Sequence, residues 1–77
     1  MHDKLRVIIS EILDVPLQEL PIDASPDTVF NWDSLKQITI LLAVEEEFGI
    51  RFGDTDIPRL FGILGFEKIL KEQGRFA

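Results

Sequence analysis

The sequence contains no cysteine and a single histidine, His2. It can therefore form no disulfide and has no thiol of its own, a composition compatible with a reducing, cytoplasmic setting. Any thiol chemistry would have to arrive on a cofactor. The lone histidine stands at an end expected to fray, so neither a metal site nor a serine–histidine nucleophile is expected. No apolar run approaches the roughly 18 residues of a membrane span. Asp3, Arg6 and Glu11 interrupt any apolar stretch near the start, so no secretory signal is expected. No phosphate-cradling glycine pattern is present, and carboxylate pairs such as Asp54 and Asp56 suggest no dry cleft that would separate their pKa values. The chain reads as a substrate for enzymes rather than as an enzyme.

Basic residues are scarce, eight against fourteen acidic, for a formal net charge of -6. Nucleic acid, which needs a basic stripe, is an unsuitable partner. A basic protein surface suits the charge, which would equally serve solubility alone. Seventy-seven residues predict one domain over 1–77, near the lower size limit for a self-sufficient core and without room for an ordinary enzyme cleft.

Apolar spacing predicts an all-α fold, a small four-helix bundle of three main helices and one short one. Leu5, Ile8, Ile9 and Ile12 form one stripe on a first helix from about Asp3 to Asp14, closed by Pro16. A segment of nineteen residues follows, Val15 to Asp33, and its length requires it to pack. Leu17, Leu20, Ile22, Val29 and Phe30 are its candidate anchors, with one helical turn near Leu17 to Leu20 and a turn-type cluster at Asp23 to Asp27. The second helix runs from Ser34 to Phe48 and stops at Gly49. Asp54 to Leu60 holds a short third helix, capped by Asp54 and strained by Pro58. The last helix spans about Ile63 to Gln73, with Ile63, Phe66, Ile69 and Leu70 inward and Gly74 as terminator. Leu5, Ile9, Ile12, Val44, Phe48, Phe66 and Leu70 are expected to share one core.

The second helix has more apolar residues than one face can hold. Ile40 or Leu41, Val44 and Phe48 make a core stripe, and Leu35, Ile38 and Leu42 make a second one. That second stripe is either covered by the long loop or open as a docking surface. Three consecutive acids, Glu45, Glu46 and Glu47, oppose the helix dipole near its C-terminal end and have no evident stabilising role there. At the other end, Asp33-Ser34-Leu35 has the form of a helix start. Ser34 is on one view a cap. On the other, its hydroxyl points to solvent where unpaired N–H groups and the helix dipole favour an attached phosphate.

Asn31-Trp32-Asp33-Ser34-Leu35, followed at helical distance by Glu45-Glu46-Glu47-Phe48-Gly49-Ile50, resembles the acyl carrier protein family over nearly the whole chain. The resemblance implies that Ser34, between Asp33 and Leu35, carries 4'-phosphopantetheine taken from coenzyme A, and that the long first loop is ordered. It implies acyl cargo held as a thioester, and a four-helix bundle with a small apolar interior could shelter part of an acyl chain between the second, third and last helices. The partners it implies are a phosphopantetheinyl transferase and acyl-loading or acyl-transfer enzymes with basic docking surfaces, meeting a monomer through Lys36, Ile38, Thr39, Leu42, Glu45, Glu46 and Glu47. Lys36 and Thr39 stand where the commonest fatty-acid carriers have acids, and Trp32 replaces a small residue. These departures turn the expectation from housekeeping fatty-acid synthesis toward a specialised pathway, such as one handling a polyketide, an aminoacyl group or a surface polymer. The alternative is a carrier-like protein-binding module with Ser34 unmodified.

Overall fold

A computed structural model describes residues 4–74. In it three helices, α1 (Lys4–Leu13), α2 (Ser34–Phe48) and α3 (Gly62–Glu72), are joined by a long first loop and by a shorter segment. Each of those connections contains one 3-10 turn, Leu17–Glu19 in the first and Ile57–Arg59 in the second. All regular structure among the described residues is helical. The centre is filled by Leu5, Ile9 and Leu13 of α1, Ile40 and Val44 of α2, and Ile63, Phe66, Ile69 and Leu70 of α3. Phe52 meets Phe66 edge to face at 5.8 Å between ring centroids.

The stripe of α1 is shifted from the expected one. Leu5, Ile9 and Leu13, spaced by four, are buried, whereas Ile8 and Ile12 are half-buried at the edge of the core. The helix closes at Asp14, which adopts left-handed backbone (φ 58), while the Val15 amide donates to the Ser10 carbonyl at 3.0 Å. This is the usual left-handed closure with aspartate in place of glycine, two residues before Pro16. The expected start at Asp3 lies outside the described residues.

The first loop packs as its length requires, through partly different anchors. Leu20, Ala24, Val29 and Trp32 are buried; Ile22 and Phe30 are 80% and 100% exposed, and Leu17 is also on the surface. The Arg6 guanidinium binds the loop to α1 by donating to the carbonyls of Leu20 (2.5 Å) and Pro21 (3.1 Å). The Asn31 amide donates to the Leu13 carbonyl at 2.9 Å. At Ser25 the hydroxyl accepts from the Asp27 amide and Thr28 Oγ1 accepts from the Ser25 amide, a reciprocal pair resembling a capping box.

Gly49 takes the left-handed conformation that ends α2 (φ 66). The element after it is smaller than expected. Only Ile57–Arg59 is helical, as a single 3-10 turn; it starts at Asp56 rather than Asp54, and the Asp56 carboxylate accepts from the Gly53 amide at 3.0 Å. Pro58 fits because a one-turn element asks no amide hydrogen of it. The turn lies directly on α3: a Cβ on Gly65 would overlap the Arg59 carbonyl oxygen. Gly65 therefore permits a close approach, whatever its low helix propensity. Phe48 is half-buried against the core, not inside it.

Candidate functional site

Asp33 is the residue that caps α2. Its backbone is extended and its carboxylate accepts from the Lys36 amide at 2.9 Å, satisfying one of the unpaired first-turn donors. Ser34 is thus the first residue inside the helix. It is exposed, and no hydrogen bond holds its side chain among the described residues. The first turn of α2 contains no acidic residue, so the positive end of the dipole is not already neutralised from within the helix.

Behind the serine the wall is built by Trp32, which is 3% exposed. Its indole N–H donates to Gln37 Oε1 at 2.7 Å, and Gln37 Nε2 donates to the Leu60 carbonyl at 2.6 Å. This chain of bonds draws the segment after the second 3-10 turn against the start of α2. Between them lies a depression of about 340 Å³, opening to solvent, with Ser34 and Asp33 at one side and Pro26, Ile57, Pro58 and Phe61 around it. Neither Gln37 nor a structural role for Trp32 was expected from the sequence. The available signal was a tryptophan whose N–H needs a partner, five residues before an amide.

The second apolar stripe is open. Leu35, Ile38 and Leu42 are 72%, 55% and 57% exposed, so the long loop does not cover them. At about 100° per residue, Leu35, Thr39, Leu42 and Glu46 follow one another on successive turns away from Ser34. The Thr39 hydroxyl donates back to the Leu35 carbonyl at 2.9 Å. Lys36 lies about 100° round the helix from Leu35, off the centre of the stripe.

The three acids meet different neighbours. Glu45 is half-buried and its carboxylate accepts from the Phe52 amide at 2.7 Å, which ties the chain after Gly49 back onto α2. This supplies the stabilising role that the sequence did not reveal. Glu47 turns toward α1 and pairs with Lys4 at 3.4 Å. Glu46 alone shares the face of Leu35 and Leu42.

Comparison with known proteins agrees with this geometry. The family model described as "Phosphopantetheine attachment site" matches residues 3–59, from α1 to the second 3-10 turn. An acyl carrier protein of Buchnera aphidicola subsp. Schizaphis graminum is 35% identical over 60 residues, covering 78% of this chain and 76% of the relative. The chain belongs to the acyl carrier protein family. Another acyl carrier protein, from Bdellovibrio bacteriovorus, is 29% identical over 97% of this chain and 96% of its own length. Polyketide-8 synthase acyl carrier protein 2 of Streptomyces avermitilis is 25% identical over 88% of this chain and 78% of its own. The prosthetic group of the family is covalently attached 4'-phosphopantetheine. The start of α2 fits it: an exposed hydroxyl stands at the positive end of a fifteen-residue helix, where a phosphodiester is favoured. Carrier proteins interact with the enzymes that modify and use them. Among the described residues no helix is long and apolar enough to cross a membrane.

Proposed function

We propose that Ser34 is the attachment site and that the protein presents acyl or related intermediates to partner enzymes of a specialised pathway. The observation that carries this is the division of labour at the start of α2, where Asp33 takes the capping bond and leaves the Ser34 hydroxyl exposed. In the modification step, Ser34 Oγ attacks the pyrophosphate of coenzyme A. An O–P bond forms, the bridging P–O bond breaks, the nucleotide part leaves, and the serine proton passes to a base of the transferase. Once attached, the arm supplies a terminal thiol that holds cargo as a thioester. The chain's own part is to hold Ser34 rigidly at a helix start and to offer a face beside it.

That face is Leu35, Ile38 and Leu42, ending at Glu46. Exposed aliphatic side chains on successive turns supply affinity, and Glu46 favours a basic partner and sets its orientation. Glu45 and Glu47 add to the local negative potential while making their intramolecular contacts. Lys36, at the edge, disfavours partners shaped for a uniformly acidic helix and calls for a matching acid on the true one. Lys36, Thr39 and Trp32 support a dedicated carrier rather than a housekeeping one. On this reading the protein works as a cytoplasmic monomer that meets its enzymes in turn.

The test is acylation of the modified protein by its loading enzyme at two salt concentrations, comparing wild type with Leu42→Ala, Glu46→Lys, Glu47→Lys and Lys36→Glu. Glu46→Lys should slow loading and lose salt dependence more than Glu47→Lys, and Leu42→Ala should weaken it at both concentrations. Identical kinetics for all four folded variants would refute this docking face.

A further inference from the structure

The hydrogen-bonded pair Trp32 and Gln37 is the most developed feature that the carrier reading leaves unused. Both ends of the Gln37 amide are committed. Its oxygen accepts from the buried indole at 2.7 Å and its nitrogen donates to the Leu60 carbonyl at 2.6 Å, so turning the amide over would set like against like on both sides. The segment that Leu60 belongs to is a one-turn element without a side-chain cap. Arg59 ties it to α3, through Nη2 and Glu72 Oε2 at 2.6 Å, while the bonds of the Ile57 amide to the Gly53 carbonyl and of Arg59 to Asp56 stay within the same connection. Among the described residues, the Gln37 bond to Leu60 is thus the polar link from this segment to the helix that bears Ser34.

We propose that the Trp32–Gln37–Leu60 chain sets residues 57–61 as the second wall of the surface on which the phosphopantetheinyl transferase engages Ser34, making Trp32 and Gln37 positioning residues for that modification. This rests on the assignment of Ser34 as the attachment site. An enzyme that delivers a phosphoryl group to Ser34 Oγ must cover the ground around it. On one side that ground is Leu35. On the other, across the depression, it is Ile57 and Phe61, large apolar side chains left 45% and 57% exposed. Trp32 is buried and Gln37 half-buried beneath them, so their effect passes through the wall they hold. A wall already in place spares the ordering cost that a loose segment would impose on docking. Loosening it therefore raises KM for the carrier and leaves kcat, set by groups on the transferase, unchanged.

Gln37→Glu keeps an acceptor for the indole and places a carboxylate against the Leu60 carbonyl. Gln37→Met keeps the length and loses both bonds, and Trp32→Phe keeps an aromatic ring without the N–H. With coenzyme A and a broad-specificity transferase, KM for each Gln37 variant should rise about 3- to 10-fold, as the loss of the bond to Leu60 that both share implies, with kcat within about twofold of wild type. Ile57→Ser should raise KM as well. Ile12→Ala, destabilised on the far side in α1, should keep the wild-type KM when assayed folded, which separates a positioning role from lost stability. If Trp32→Phe does not fold, the two Gln37 variants decide the matter. Wild-type KM in Gln37 variants shown folded by circular dichroism, or a fall in kcat alone, would overturn the proposal. Absence of modification in wild type would instead overturn the assignment of Ser34.

Discussion

Two phenylalanines that look equivalent in sequence should differ sharply in what they contribute. Phe66 is completely buried and meets Phe52 edge to face, so Phe66→Ala loses a full aromatic transfer term, a cavity term and the ring pair, about 3 to 5 kcal/mol together. Phe48 is half-buried at the rim of the core. Its truncation removes part of one apolar surface and leaves a space that water can fill, for about 1 to 2 kcal/mol. A chain of 77 residues has a total stability of roughly 4 to 12 kcal/mol at typical values per residue, so the first substitution should remove a large part of it and the second should be tolerated. Urea denaturation followed by the fluorescence of Trp32 gives both numbers, provided the m-values stay equal. Should Phe66→Ala fail to fold, Phe66→Leu, expected to lose about 1 to 2 kcal/mol, takes its place. Equal losses for the two alanine variants, or a larger loss at Phe48, would refute this placement of the core.

Asp33→Ala should cost about 1 kcal/mol through loss of the bond to the Lys36 amide, and Asp33→Asn much less, measured by thermal unfolding of the unmodified protein. Gly65→Ala should destabilise by about 1 to 3 kcal/mol despite alanine's better helix propensity, because the added Cβ meets backbone at Arg59 and not a flexible side chain. Denaturation with urea fixes the sign. The Arg59 hydrogen bond, reinforced by its charge, holds the Glu72 carboxyl below its ordinary 4.5. With the folded value lowered, the unfolded chain binds more protons in that range, so the contribution of the pair is complete above 4.5 and is lost as pH falls through the folded value. Glu72→Gln should flatten the dependence of Tm on pH across that window, by a small amount because the pair is exposed.

The helices were legible because local signals and packing agree in them. α2 has an acidic cap, a periodic apolar run and a glycine stop, and its ends are where those signals place them. The face of α3 was equally plain. Where the sequence misled, the deciding partner lay far along the chain. Nothing local says that Leu13 rather than Ile12 faces inward, since both continue a plausible stripe and α2 and α3 make the choice. Glu45 looked redundant among three acids because its partner is an amide seven residues on, beyond a turn. In the long loop, Phe30 and Trp32 are both large and aromatic, yet only Trp32 finds cover, in company with a glutamine and a carbonyl from residues 37 and 60. The helix start that leaves Ser34 exposed was readable from its motif. The wall beside it was not, because it comes from a segment whose weak helical signal and proline conceal how closely it lies on Gly65.

The central claim is that Ser34 bears the prosthetic group, and intact-mass measurement after incubation with coenzyme A and a broad-specificity phosphopantetheinyl transferase tests it most directly. Wild type should gain the mass of one phosphopantetheine, located by peptide mapping to the peptide containing Ser34, and Ser34→Ala should gain nothing. An unchanged wild-type mass, or a modification that persists in Ser34→Ala, would contradict it.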